Sequence, residues 1–67
     1  MRLSTLLRMQ YLLERLLPID CTYSFSFDGS ELVIKPGRRA FKEVLRAVKE
    51  AGLPFKKIRN RVVVRLE

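Results

Sequence analysis

The sequence predicts a small two-layer α+β domain in the order α-β-β-α-β(-β), with an antiparallel sheet and two helices on one face. Three observations predict it. Residues 3–17 and 36–52 carry apolar side chains at helical spacing; residues 21–35 and the tail after residue 55 alternate with a period of two; Pro or Gly stands at the breaks between them. The 67 residues make one domain spanning 1–67. A chain of that size buries only roughly 60 % of the surface it exposes when unfolded, so its core is thin.

The first helix runs from Leu3 to Leu17, with Ser4 as its expected N-cap and Pro18 as its stop, because proline disfavours helical geometry in the residue before it. Leu3, Leu6, Leu7, Leu13 and Leu17 form the expected core stripe. Met9, Leu12 and Leu16 widen it beyond the arc one sheet covers, which predicts a homodimer seam along those three residues; the plainer alternative is that a few side chains of an unevenly apolar helix stay exposed.

After Pro18, Cys21, Tyr23, Phe25 and Phe27 alternate with Thr22, Ser24 and Ser26, Asp28-Gly29 supplies a hairpin turn, and Glu31 to Lys35 return. A two-residue turn sets Phe25 opposite Leu32 and Tyr23 opposite Ile34, gathering the large apolar groups on one face. That face is expected to be core, the alternative being a platform on which bases stack.

The second helix lies within Pro36–Gly52. Phe41, Val44, Leu45 and Val48 share one side, Arg38, Arg39, Lys42, Arg46 and Lys49 the other, and Gly52 before Leu53-Pro54 marks a left-handed C-terminal cap. Two arginines beside Gly37 occupy a first turn that electrostatics reserves for acids, which predicts a phosphate seat on free amides; the alternative leaves both arginines in water, with Arg39 drawn to Glu43. In the tail, Val62, Val64 and Leu66 point one way and Arg61, Val63 and Arg65 the other. Residues 55–58 form either a further short strand, turned at residues 59–61, or a loop. Lys56, Lys57, Arg59 and Arg61 cluster at that end, as edge protection, as phosphate contacts, or as both.

Charge is the most informative feature for function. The net charge of +7 is uneven: residues 1–34 hold three bases against four acids, −1, and residues 35–67 hold eleven against three, +8. Such a field attracts polyanions, nucleic acid first. The expected function is sequence-tolerant nucleic-acid binding, DNA or RNA, through phosphate contacts by Gly37, Arg38, Arg39, Lys42, Arg46, Lys49, Lys56, Lys57, Arg59 and Arg61. The competing expectation is a homodimeric interaction module whose basic face is only solubilising.

The remaining composition narrows the classes. Cys21 is the only cysteine and there is no His, which argues against an intrachain disulfide, a structural zinc, and Ser–His or Cys–His catalysis. Asp20, Asp28 and Glu31 are the carboxylates a metal-dependent nuclease would need, but cap and turn roles explain the first two. No enzyme, metal or cofactor motif stands out. Arg8, Gln10, Glu14 and Arg15 interrupt the Leu-rich start, so neither a signal peptide nor a membrane span is expected, and because the sheet needs the apolar side of the second helix no membrane partner is expected either. The lone thiol suits the cytoplasm. A single Gln and a single Asn among many Arg, Lys, Val and Leu suit a heat-adapted chain.

Overall fold

The predicted order of elements is present in the computed structural model, which describes residues 2–66: α1 (Leu3–Leu16), β1 (Cys21–Phe25), β2 (Glu31–Pro36), α2 (Phe41–Ala51), β3 (Phe55–Ile58) and β4 (Arg61–Arg65). The four strands form one antiparallel sheet in the order β1-β2-β4-β3, so β1 and β3 are its edges. The residues after Leu53 do pair back as a strand, and their turn is the two residues Arg59-Asn60 between the partners Ile58 and Arg61.

The hairpin register is the expected one, with Tyr23 opposite Ile34 and Phe25 opposite Leu32. Beyond it, Leu32 pairs with Val64 and Ile34 with Val62. Side chains of directly opposed residues share a face, so these four aliphatics line the side on which the helices pack, and all four are fully buried. Val44, Ala47, Val48 and Ala51 of α2 and Leu12 and Leu16 of α1 close the core over them.

The expected aromatic core is corrected. Tyr23 is 43 % exposed, Phe25 47 %, and Phe27 lies entirely in solvent. The cause is strand order: β1 has a neighbour on one side only, and α2 sits over β2 and β4. Phe27 is drawn from the strand into the turn, where Gly29 N–H donates to Ser26 O at 3.0 Å and the Asp28 carboxylate accepts from the Ser26 hydroxyl and from the Ser30 N–H and hydroxyl at 2.7–3.0 Å.

Helix α1 turns its other side to the core. Leu12 and Leu16 are fully buried and Met9 packs partly against them, whereas Leu3, Leu6, Leu7 and Leu17 are exposed. The seam expected along Met9, Leu12 and Leu16 is therefore corrected: those side chains complete the fold of their own chain and are not free for a second one. Two surface contacts with the neighbouring helix accompany this orientation. At 100° per residue Arg8 and Arg15 lie together on α1, and Arg8 Nη1 donates to the Gly52 carbonyl at 3.3 Å while Arg15 ion-pairs with Glu50. The expected Ser4 cap is also corrected, for Arg2 is the N-cap, without a side-chain bond, and its carbonyl accepts the Leu6 N–H.

Helix α2 begins later than Pro36, after a turn formed by Arg38, Arg39 and Ala40, and ends as expected at Gly52. Gly52 holds a left-handed φ of 73°, which a side chain resists, and its N–H caps the Lys49 carbonyl.

Candidate nucleic-acid interface

The position of α2 decides which way its cations face. Val44, Ala47, Val48 and Ala51 are pinned to the sheet, so Lys42, Arg46 and Lys49 must project outward, and they do, all exposed, lining an open groove together with Leu45 and Glu50. Of the helix's two acids, Glu50 borders the groove and is held by Arg15 of α1, whose second donor contact goes to the Tyr11 hydroxyl at 3.0 Å. Among the described residues no ion pair engages Lys42, Arg46 or Lys49, nor Arg38 or Arg39 in the preceding turn, and Arg39 does not pair with Glu43.

The expected phosphate seat at Gly37 is corrected. Gly37 donates its N–H to the Asp20 carbonyl at 2.7 Å, and the space where its Cβ would stand is filled by the Asp20 carboxylate. That negative group repels an anion where one was expected to sit. The α2 N-cap is Ala40, and Glu43 is the acid of the first turn, the ordinary complement to a helix dipole. Arg38 and Arg39 are exposed in the turn that precedes α2, as side chains and not as part of a backbone nest.

The cluster at the tail divides between two faces. Lys57 lies opposite Val62, on the helix side, where its ammonium stands 5.5 Å from the centre of the Phe41 ring; it extends the α2 row across to β3. Lys56 lies opposite Val63 and Arg61 opposite Ile58, on the uncovered sheet face. Arg59 occupies the hairpin tip with a positive φ of 57°. Of the ten residues singled out from sequence, Lys42, Arg46 and Lys49 line one groove and Lys57 shares the helix side of the sheet, Arg38 and Arg39 are exposed in the turn before α2, Lys56 and Arg61 lie on the opposite face, Arg59 is at the rim, and Gly37 lies outside either.

The uncovered sheet face holds cations that sequence reasoning left out. Arg65 lies opposite Glu31 and Lys35 opposite Thr22, around a centre of Val33 and Val63. The alternation Arg61-Val62-Val63-Val64-Arg65 carried the signal for Arg65, since it sets both arginines on one side of the strand. This face is smaller in net charge, because Glu31 opposes Arg65. It also lacks aromatics: Tyr23 and Phe25 are on the helix side, with ring centres 6.5 Å apart at 85°, an edge-to-face pair that offers no common stacking plane to successive bases.

The half-buried Cys21 thiol lies 3.8 Å from the Leu16 carbonyl, and burial, aided by the Asp20 charge, pushes its pKa above the usual thiol value. A thiol so placed is a poor nucleophile at neutral pH. Among the described residues no three Asp, Glu or Cys side chains converge on one point, and no helix is long and apolar enough to cross a membrane. No family model, curated protein or solved structure matches the chain.

Proposed function

We propose that this domain binds nucleic acid with little regard to sequence, by laying the outer face of α2 and the adjoining edge of the sheet along a phosphate backbone. The observation that carries the reading is the segregation on α2: Lys42, Arg46 and Lys49 face outward without ion-pair partners among the described residues, while Glu50 is drawn to Arg15. A solvated helix gains most from mixing the two signs along its surface, whereas an array of one sign attracts a polyanion. Lys57, Arg38 and Arg39 lengthen the array in two directions. At a rise of 1.5 Å per residue the row from Lys42 to Lys49 is about 10 Å long, the length of about three base-pair steps, and the cations of the preceding turn and of β3 add to it.

Most protein–DNA hydrogen bonds go to phosphate and sugar, and this surface offers cations for them; arginine also reads guanine edges, but the Asn or Gln that reads adenine is missing from the α2 row, so sequence preference is expected to be weak. No catalytic step is part of the proposal. A chain with one cysteine and so no intrachain disulfide suits action in the cytoplasm. The test is a titration of duplex and single-stranded oligonucleotides of several sequences at a series of salt concentrations. Affinities that vary little with sequence and fall with salt, at a log–log slope of about −4 to −5 for five phosphates on duplex DNA, are expected. Absence of binding at low salt contradicts the proposal.

A further inference from the structure

On the side of the molecule away from the basic row, a strand edge and a helix flank are both left open. The first is β1. Its ladder with β2 is fixed at the two ends by Gly37 N–H to Asp20 O and Ser26 N–H to Glu31 O. Antiparallel alternation then directs the backbone groups of Thr22 and Ser24 toward β2 and those of Cys21, Tyr23 and Phe25 away from the sheet. Nothing guards that edge, for Cys21–Phe25 contains no charge and no proline. The other edge, β3, carries Lys56 and Lys57.

The second is the outer flank of α1. Arg8 and Arg15 mark the side facing α2, so the flank half a turn away, above the β1 edge, carries Leu6, Leu13 and Leu17 with no charged side chain among them. Leu6 and Leu17 are exposed and Leu13 half-buried.

We infer that this surface seats a second copy of the chain, through antiparallel β1–β1 pairing about a twofold axis at Tyr23 with the two α1 flanks packed above it. The strand is self-complementary in that register. Tyr23 exchanges both backbone bonds with its own counterpart, and Cys21 exchanges them with Phe25, so every outward group of β1 is satisfied and the two sheets become one of eight strands. The same register carries the fully exposed Phe27 of each copy toward the Leu17–Ile19 turn of the other. Area agrees: at their exposures Tyr23, Phe25, Phe27, Leu6 and Leu17 offer on the order of 600 Å² of apolar surface per copy, before backbone contacts, against about 800 Å² per partner in a standard interface. Charge agrees as well. Two copies that each carry +7 repel least where the cations are fewest, and residues 1–34, which build this surface, sum to −1. The inference does not depend on the polyanion reading, because the α2 row stays on the outside in either state.

The test is sedimentation equilibrium on the full chain at micromolar concentration, together with amide hydrogen exchange. Expected are twice the chain mass of 7.9 kDa and slow exchange at Cys21, Tyr23 and Phe25 as well as at Thr22 and Ser24. Phe25→Lys and Leu17→Lys, both at exposed positions, each raise the dimer dissociation constant about tenfold or more while leaving the circular dichroism of the fold intact. A monomer mass, a dimer in which those three amides exchange freely, or a dimer that both substitutions leave unchanged overturns the inference.

Discussion

The Gly37 N–H donates to the Asp20 carbonyl at 2.7 Å, and a Cβ built on Gly37 would stand 2.9 Å from that same oxygen. This contact ties the end of β2 to the turn that leads into β1, and it fixes where the chain enters α2. It also explains a glycine whose φ is not positive: the requirement is close approach, not an unusual backbone angle. Gly37→Ala is expected to lower stability by about 1–3 kcal/mol, read from urea denaturation, since backbone must move to admit the methyl. An unchanged midpoint contradicts this account.

The core assignment of α1 makes a paired prediction. Leu12→Ala removes a fully buried side chain and is expected to cost about 2–5 kcal/mol, whereas Leu7→Ala, at an exposed position, stays within about 0.5 kcal/mol. Thermal or denaturant unfolding of the two variants checks it, and equal losses refute the observed orientation of the helix.

Asp28 gives the β1–β2 turn a pH dependence of definite sign. Hydrogen bonds from the Ser30 hydroxyl, the Ser30 N–H and the Ser26 hydroxyl lower its pKa from the ordinary 3.8 to about 2. A carboxylate depressed on folding contributes stability above its unfolded value and loses it as pH falls toward the folded one. Stability is therefore expected to drop between about pH 4 and pH 2 in a manner that Asp28→Ala abolishes, and carboxyl-carbon chemical shifts of Asp28 locate the titration.

Arg59 holds a φ of 57° at the β3–β4 turn, a conformation costly for a residue with a Cβ. Arg59→Gly relieves it and is expected to raise stability by roughly 0.5–1 kcal/mol. If the arginine also meets a phosphate, the same variant binds oligonucleotides with a salt slope shallower by about 1.

How much of this was legible in the sequence depends on whether a signal was local. The pairing of Phe25 with Leu32 could be read because alternation and the Asp28-Gly29 turn fix a register within a dozen residues. Gly52 named its own cap, and the basic and apolar sides of α2 separated because its side chains differ sharply in polarity. The side of α1 that meets the core could not be read. Leucines at positions 3, 6, 7, 12, 13, 16 and 17 surround much of the helix, and which of them are buried depends on packing against α2 and the sheet, where Arg8 and Arg15 also reach Gly52 and Glu50, more than thirty residues away. Strand order was likewise hidden, so Tyr23 and Phe25 looked like core and are an edge. The seat at Gly37 failed because no local pattern announces that Asp20 folds back onto it. Lys56 and Lys57, adjacent in sequence, part to opposite faces once residues 55–58 are a strand rather than a loop.

The most direct measurement of the central claim compares salt slopes of duplex binding for two triple variants, Lys42→Ala/Arg46→Ala/Lys49→Ala on the helix and Lys35→Ala/Lys56→Ala/Arg65→Ala on the uncovered sheet face. The helix triple is expected to flatten the slope by about 2–3, and the sheet triple to leave it near that of the unaltered chain. A slope that the helix triple does not change, or that the sheet triple flattens instead, contradicts the assignment of the α2 face.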